Sequence, residues 1–105
     1  MSLGELEEKI LLAILHQGND TYGAVVREVL AAAGRKVSVG ALYVTFDRLE
    51  TKGMIEGRES EVQTSRGGTA RRFFRVTGKG QEALRENELI RANLQRMPNL
   101  AGGAA

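Results

Sequence analysis

Residues 66–80, RGGTARRFFRVTGKG, set four arginines and a lysine among four glycines and two adjacent phenylalanines. A solvated hairpin needs no such density of guanidinium, and a core strand does not tolerate it. Guanidinium groups fit phosphate oxygens, so the cluster suggests a polyanion as partner. The charge distribution agrees. Residues 1–33 carry two basic and five acidic side chains, residues 34–80 ten and five, and residues 81–105 three of each. The formal net charge of +2 therefore hides a basic middle third, the footprint expected of a nucleic-acid binder. A merely solvated surface gives the same distribution, so charge alone leaves both readings open.

Enzyme chemistry finds no comparable support. His16 is the sole histidine, and no second ligand group stands near it in sequence, which favours a helix-end position. No metal-ligand spacing, phosphate-cradling loop or paired-carboxylate signal stands out, and no cofactor is expected. There is no cysteine to build a disulfide or thiolate site. No apolar run approaches the roughly 20 residues of a membrane span. The start, MSLGELEEKILLAIL, is acidic before its apolar part, opposite to a secretion signal. These features lead to the expectation of a cytoplasmic protein with no membrane association.

A chain of 105 residues forms one domain around one modest core. Leu3, Leu6, Ile10 and Ile14, with Leu11, Leu12 and Leu15, predict a first helix ending at Gly18, its apolar stripe wide enough to be covered on two sides. Asp20 and Thr21 are cap candidates for a second helix, with Val25, Val26, Val29 and Leu30 on one face and Gly34 at its end. Ser38 caps a third, with Leu42, Phe46 and Leu49 inward and Gly53 as the stop. Segments 54–63 and 70–76 predict two antiparallel strands around a polar connection at 63–68. Thr77 caps a last helix reaching Met97, its main body over 81–97. The fold class is thus mainly α with a small β hairpin, in the order helix, helix, helix, strand, strand, helix. That order is the winged helix-turn-helix, in which the third helix enters the DNA major groove and the hairpin lies beside it. The expected organisation is a DNA-binding domain over 1–80, a dimerisation helix over 81–97 and a disordered tail over 98–105.

SVGALYVTFDRLETKGMIEG followed by GGTARRFFRVTGKG resembles the PadR family of bacterial transcriptional regulators. Ser38, Gly40, Leu42 and Tyr43 match the opening of that family's recognition helix, and Arg48, Leu49, Glu50, Gly53 and Ile55 its continuation. Arg71, Arg75, Thr77, Lys79 and Gly80 match the wing and the start of the last helix, and TYGAVVREV is similar to the second helix. Val39, Ala41, Phe73 and Phe74 depart from the family pattern, and Asp47 stands where a basic residue is common.

The resemblance implies a homodimeric repressor binding double-stranded, palindromic operator DNA. Its DNA-contacting residues are expected among Ser38, Gly40, Tyr43, Arg48, Arg66, Arg71, Arg72 and Lys79. Each also has a structural reading. Ser38 is first a helix cap, and Tyr43 either donates to a phosphate or covers the core edge with its ring. Gly40 either admits the sugar-phosphate backbone or is incidental. Asp47 repels phosphate, yet can accept a hydrogen bond from cytosine N4. Strand alternation puts Phe74 and Val76 inward and Arg71, Phe73 and Arg75 outward, with Arg75 free to pair with Glu56 or Glu59 instead.

Leu3, Leu6, Ile10, Leu84, Ile90, Leu94 and Met97 are the dimer-interface candidates, with intrachain packing as the alternative for each. Short members of the family can bind planar or amphipathic compounds at the dimer seam, so the resemblance allows a small-molecule effector, and whether this chain senses one stays open at this point. The chain has no tryptophan to stack on one. Two rival functions remain open on sequence, a winged-helix module for an acidic protein partner and a non-specific nucleic-acid binder.

Overall fold

The structure is a computed structural model describing residues 3–60 and 71–100. Helix α1 (Glu5–His16) starts where the sequence sets Glu5, Glu7 and Glu8 at the positive end of the helix dipole. The Glu7 carboxylate accepts from the Gly4 N–H at 2.7 Å, satisfying a donor that the helix leaves free. Helices α2 (Gly23–Ala32) and α3 (Val39–Thr51) follow. The Ser38 hydroxyl caps α3 by accepting from the Ala41 N–H at 3.1 Å. Thr77 caps α4 (Gly78–Arg96) the same way through the Gly80 N–H. Both caps are those the sequence predicts.

The expected hairpin is present as strands β2 (Ile55–Glu59) and β3 (Arg72–Val76), paired antiparallel with Glu56 opposite Arg75. It belongs to a larger sheet. Strand β1 (Thr21–Tyr22) pairs with the other edge of β3, giving the order β1-β3-β2. Asp20 and Thr21 consequently do not cap α2. Thr21 is buried opposite Phe74, Tyr22 takes the N-cap position, and Asp20 pairs with Arg58 at 2.8 Å. Asn19 extends the pairing with its side chain. Its Oδ1 accepts from the Val76 N–H at 2.7 Å and its Nδ2 donates to the Val76 carbonyl at 3.3 Å. The connection at 63–68 and the far ends of the expected strands fall at residues 61–70, outside the described residues, as does the tail from 101 onward.

The core joins Ile10, Leu11 and Ile14 of α1 to Val26 and Leu30 of α2, Leu42, Phe46 and Leu49 of α3, and Phe74 and Val76 of β3. The Phe46 and Phe74 rings stack at 4.2 Å between centroids, fixing the wing to α3. Phe74 and Val76 face inward, Arg75 is exposed and Phe73 is half-buried, as alternation requires. Gly80 is set tightly against the turn into β2. A Cβ there meets the Met54 carbonyl oxygen at 2.3 Å, so α4 leaves the sheet at an angle that only glycine permits.

Candidate nucleic-acid interface

Leu42, Phe46 and Leu49 bury one face of α3, which leaves Gly40, Val44, Asp47 and Thr51 as the outermost stripe. Val39, Tyr43 and Arg48 flank it, all exposed. The Arg27 guanidinium donates to the Val37 carbonyl at 2.9 Å and holds the turn between α2 and α3. A salt bridge from Lys52 to Glu7 at 2.7 Å ties the end of α3 to α1. The face is therefore presented by a helix fixed at both ends, its capped N-terminus carrying the positive end of the dipole.

Burial pushes the Glu7 carboxyl up, but bonds from the Gly4 N–H and Lys52 and the nearby Arg48 charge outweigh it and hold the group below the usual carboxylate range. Glu8 behaves alike. Burial raises it, while Arg91, Asn87 and Lys9 together bring it below its ordinary value. Both carboxylates are thus ionised anchors, one for α3 and one for α4.

The candidate DNA-contacting residues divide into three groups. Ser38, Gly40, Tyr43 and Arg48 come together on or beside the open face of α3. Tyr43 performs the covering role. Its ring meets Phe46 edge-on at 5.4 Å, and its hydroxyl lies so close to α2 that a Cβ on Gly23 sits 2.3 Å from it. About half of the ring remains exposed.

The second group is the wing. Arg71 is exposed, its guanidinium 4.5 Å over the Tyr22 ring, with no carboxylate partner among the described residues. Arg72 differs. It donates to Glu50 of α3 at 2.6 Å and lies against Gly57 and over the Phe74 ring, so its charge is compensated. Arg75 pairs with Glu56 at 2.9 Å, the structural alternative weighed from sequence. Arg66 lies outside the described residues.

Lys79 stands apart, exposed beside Gly53 where α3 turns into β2. Lys36, passed over in the sequence, is exposed beside the α2–α3 groove with Arg27, Val39 and Tyr43. Its signal was a cation two residues before the Ser38 cap, where an approaching phosphate would lie.

The dimer candidates also separate. Ile10 is fully buried in the chain's own core and offers no surface to a partner. It sits on the inward stripe of α1, which sequence periodicity does not distinguish from a second apolar face. Leu3, Leu6 and Leu84 are half-buried against the core. Ile90 and Leu94 are exposed along one stripe of α4, Met97 at its C-cap is exposed too, and Leu89 beside them, missed in the sequence, is exposed as well.

Among the described residues no helix is long and apolar enough to cross a membrane, and no acidic, histidine or cysteine cluster is arranged to hold a metal ion. Comparison with known proteins agrees with the geometry. Residues 11–86 match the PadR-like family of transcriptional regulators. Transcriptional regulator Rv3488 of Mycobacterium tuberculosis is 36% identical over 89 residues, which cover 83% of this chain and 79% of that protein. The crystal structure of a PadR-like transcription factor from Bacteroides fragilis superposes with a TM-score of 0.73 at 28% identity, covering 86% of this chain and 82% of the other. F93 from STIV, a winged-helix DNA-binding protein, shares the fold at a TM-score of 0.67 and 18% identity, over 90% and 95% of the two chains. A capped third helix with an open outer face, a wing stacked on it and this match over most of the chain lead to one conclusion: the protein is a member of the PadR-like family of transcriptional regulators, with a winged-helix DNA-binding fold.

Proposed function

We propose that the chain acts as a homodimeric, sequence-specific repressor that binds palindromic operator DNA. The observation that carries this reading is the open face of α3, together with two exposed cations without carboxylate partners among the described residues, Lys36 beside the α2–α3 groove and Arg71 on the wing. Helix α3 enters the major groove, and Arg71 and Lys36 meet phosphates on either side. Ser38, Gly40, Tyr43 and Arg48 border the approach, and Lys79 adds positive charge near the wing. Arg72 positions the wing through Glu50. The exposed Ile90 and Leu94 stripe of α4, with Met97 at its C-cap, supports pairing of two copies, because a lone helix does not leave such a stripe in water without reason. The Leu12 side of α1, also exposed, offers the partner's α4 a seat. A small molecule at that seam would act by changing the angle between the two α3 helices.

Selection from a randomised duplex library, with the mass of the recovered complex measured by sedimentation, tests the reading. The expected product is an inverted repeat with half-sites about 34–36 Å apart, holding two chains. Enrichment of a single unrepeated site, or one chain per duplex, would contradict it.

A further inference from the structure

The outer stripe of α3 is unusual for a helix that reads DNA. It contains no arginine, lysine, asparagine or glutamine, the side chains that make the common bidentate contacts to guanine and adenine. At its centre stands Val44, a branched apolar side chain left 54% exposed, with Asp47 one turn on. Asp47 has no ion-pair partner among the described residues. Both lie on a shallow depression that Arg48, Thr51 and Lys52 also line, the Lys52 ammonium being held by Glu7. Packing explains neither residue, since the core side of α3 is complete without them.

We infer that α3 reads its operator through Val44 packed on a thymine C5-methyl group and Asp47 accepting from the N4 amino group of a cytosine in a neighbouring pair. The assignment rests on the DNA-binding reading above and adds the class of sequence that α3 selects. The chemistry singles out these bases. In the major groove only thymine presents an apolar group, and a valine can offer nothing to a hydrogen-bonding edge. A carboxylate can only accept. It is repelled by guanine N7 and O6, by thymine O4 and by adenine N7, whereas cytosine presents a donor alone. Along the helix axis the two residues are about 4.5 Å apart, near the rise of roughly 3.4 Å between successive bases. Arg48, flanking the stripe on the next residue, offsets the carboxylate's repulsion of the backbone.

The test uses the full chain and the duplex recovered by selection. Each thymine of a half-site is replaced in turn by deoxyuridine, which removes the methyl group and changes nothing else. For the wild type, such a replacement at one position of a single half-site is expected to weaken binding about fourfold, the worth of one buried methyl-sized group. The same replacement should leave binding by Val44→Ala unchanged. Asp47→Asn should lose at least about fivefold of the preference for cytosine at the adjacent pair. A half-site with no thymine, no sensitivity of the wild type to deoxyuridine, or equal sensitivity in Val44→Ala would overturn the assignment alone. A library from which no sequence is enriched would overturn the DNA-binding reading along with it.

Discussion

Two neighbouring arginines of the wing do different work. Arg71 stacks on Tyr22 with no carboxylate partner among the described residues, while Arg72 is held by Glu50 and shielded by Gly57 and Phe74. Arg71→Ala is therefore expected to weaken binding to all duplexes alike and to lower the salt slope by about one, with a stability loss of no more than about 1 kcal/mol from the lost contact with Tyr22. Arg72→Ala should instead loosen the wing, at a stability loss of up to about 1 kcal/mol for a half-exposed pair, read in thermal unfolding. Glu50→Gln is the converse. It frees the Arg72 charge, so affinity for scrambled duplex should rise and the salt slope steepen by about one. Identical salt slopes for Arg71→Ala and Arg72→Ala would show that the division is wrong. The sequence exposes the arginine cluster but not this division, because charge pairing depends on which residues the fold brings opposite one another. Glu50 and Arg72 are far apart in the chain, and only the register of the wing against α3 joins them.

Among the elements, the helices were the most legible. Ser38 and Thr77 announce their own helices, since a hydroxyl before a periodic apolar run satisfies the free N–H groups of the first turn. β1 was not legible. Two residues have no alternation, and their pairing partner lies some fifty positions away. Asn19 was missed for the same reason, as its bonds to Val76 are tertiary. How the elements are joined sets their response to pH. Glu7 and Glu8 both titrate below their ordinary range in the folded state. Their contribution is therefore complete above the unfolded value of about 4.3 and is lost as pH falls through the lower folded values. The melting temperature should be level from neutral pH to about pH 5 and fall below that. Glu7→Gln should lower stability at neutral pH by about 1–3 kcal/mol and flatten the acid limb. A melting temperature that rises on acidification would refute this. Gly80→Ala places a Cβ 2.3 Å from the Met54 carbonyl oxygen. It should destabilise by about 1–3 kcal/mol, the usual range for overpacking, as read in a urea titration.

For the molecule as a whole, the proposed pairing of two winged helices runs through α4. Glu8 of α1 accepts from Arg91 at 3.1 Å and from Asn87 at 3.4 Å, so the helix leaves the body in a defined direction. Beyond that clamp its apolar residues face solvent, Leu94 at 66% exposure. Sequence periodicity found this stripe but also named Ile10, which the core of its own chain encloses. An apolar residue at helical spacing looks the same whether its partner is the same chain or another. In the proposed dimer, Leu94→Glu should shift sedimentation to the monomer and cost operator affinity while leaving circular dichroism intact. A folded Leu94→Glu variant that stays dimeric would move the interface elsewhere. In this reading the open face of α3 and the wing together select a DNA sequence. Fluorescence anisotropy of the wild type, titrated into the selected duplex and a scrambled copy at two salt concentrations, tests it most directly. Binding to the selected duplex is expected to be about a thousandfold or more tighter, with both affinities falling as salt rises. Equal, salt-sensitive affinity for the two duplexes would make the protein a general nucleic-acid binder, and absence of binding at low salt would leave a protein surface as its partner.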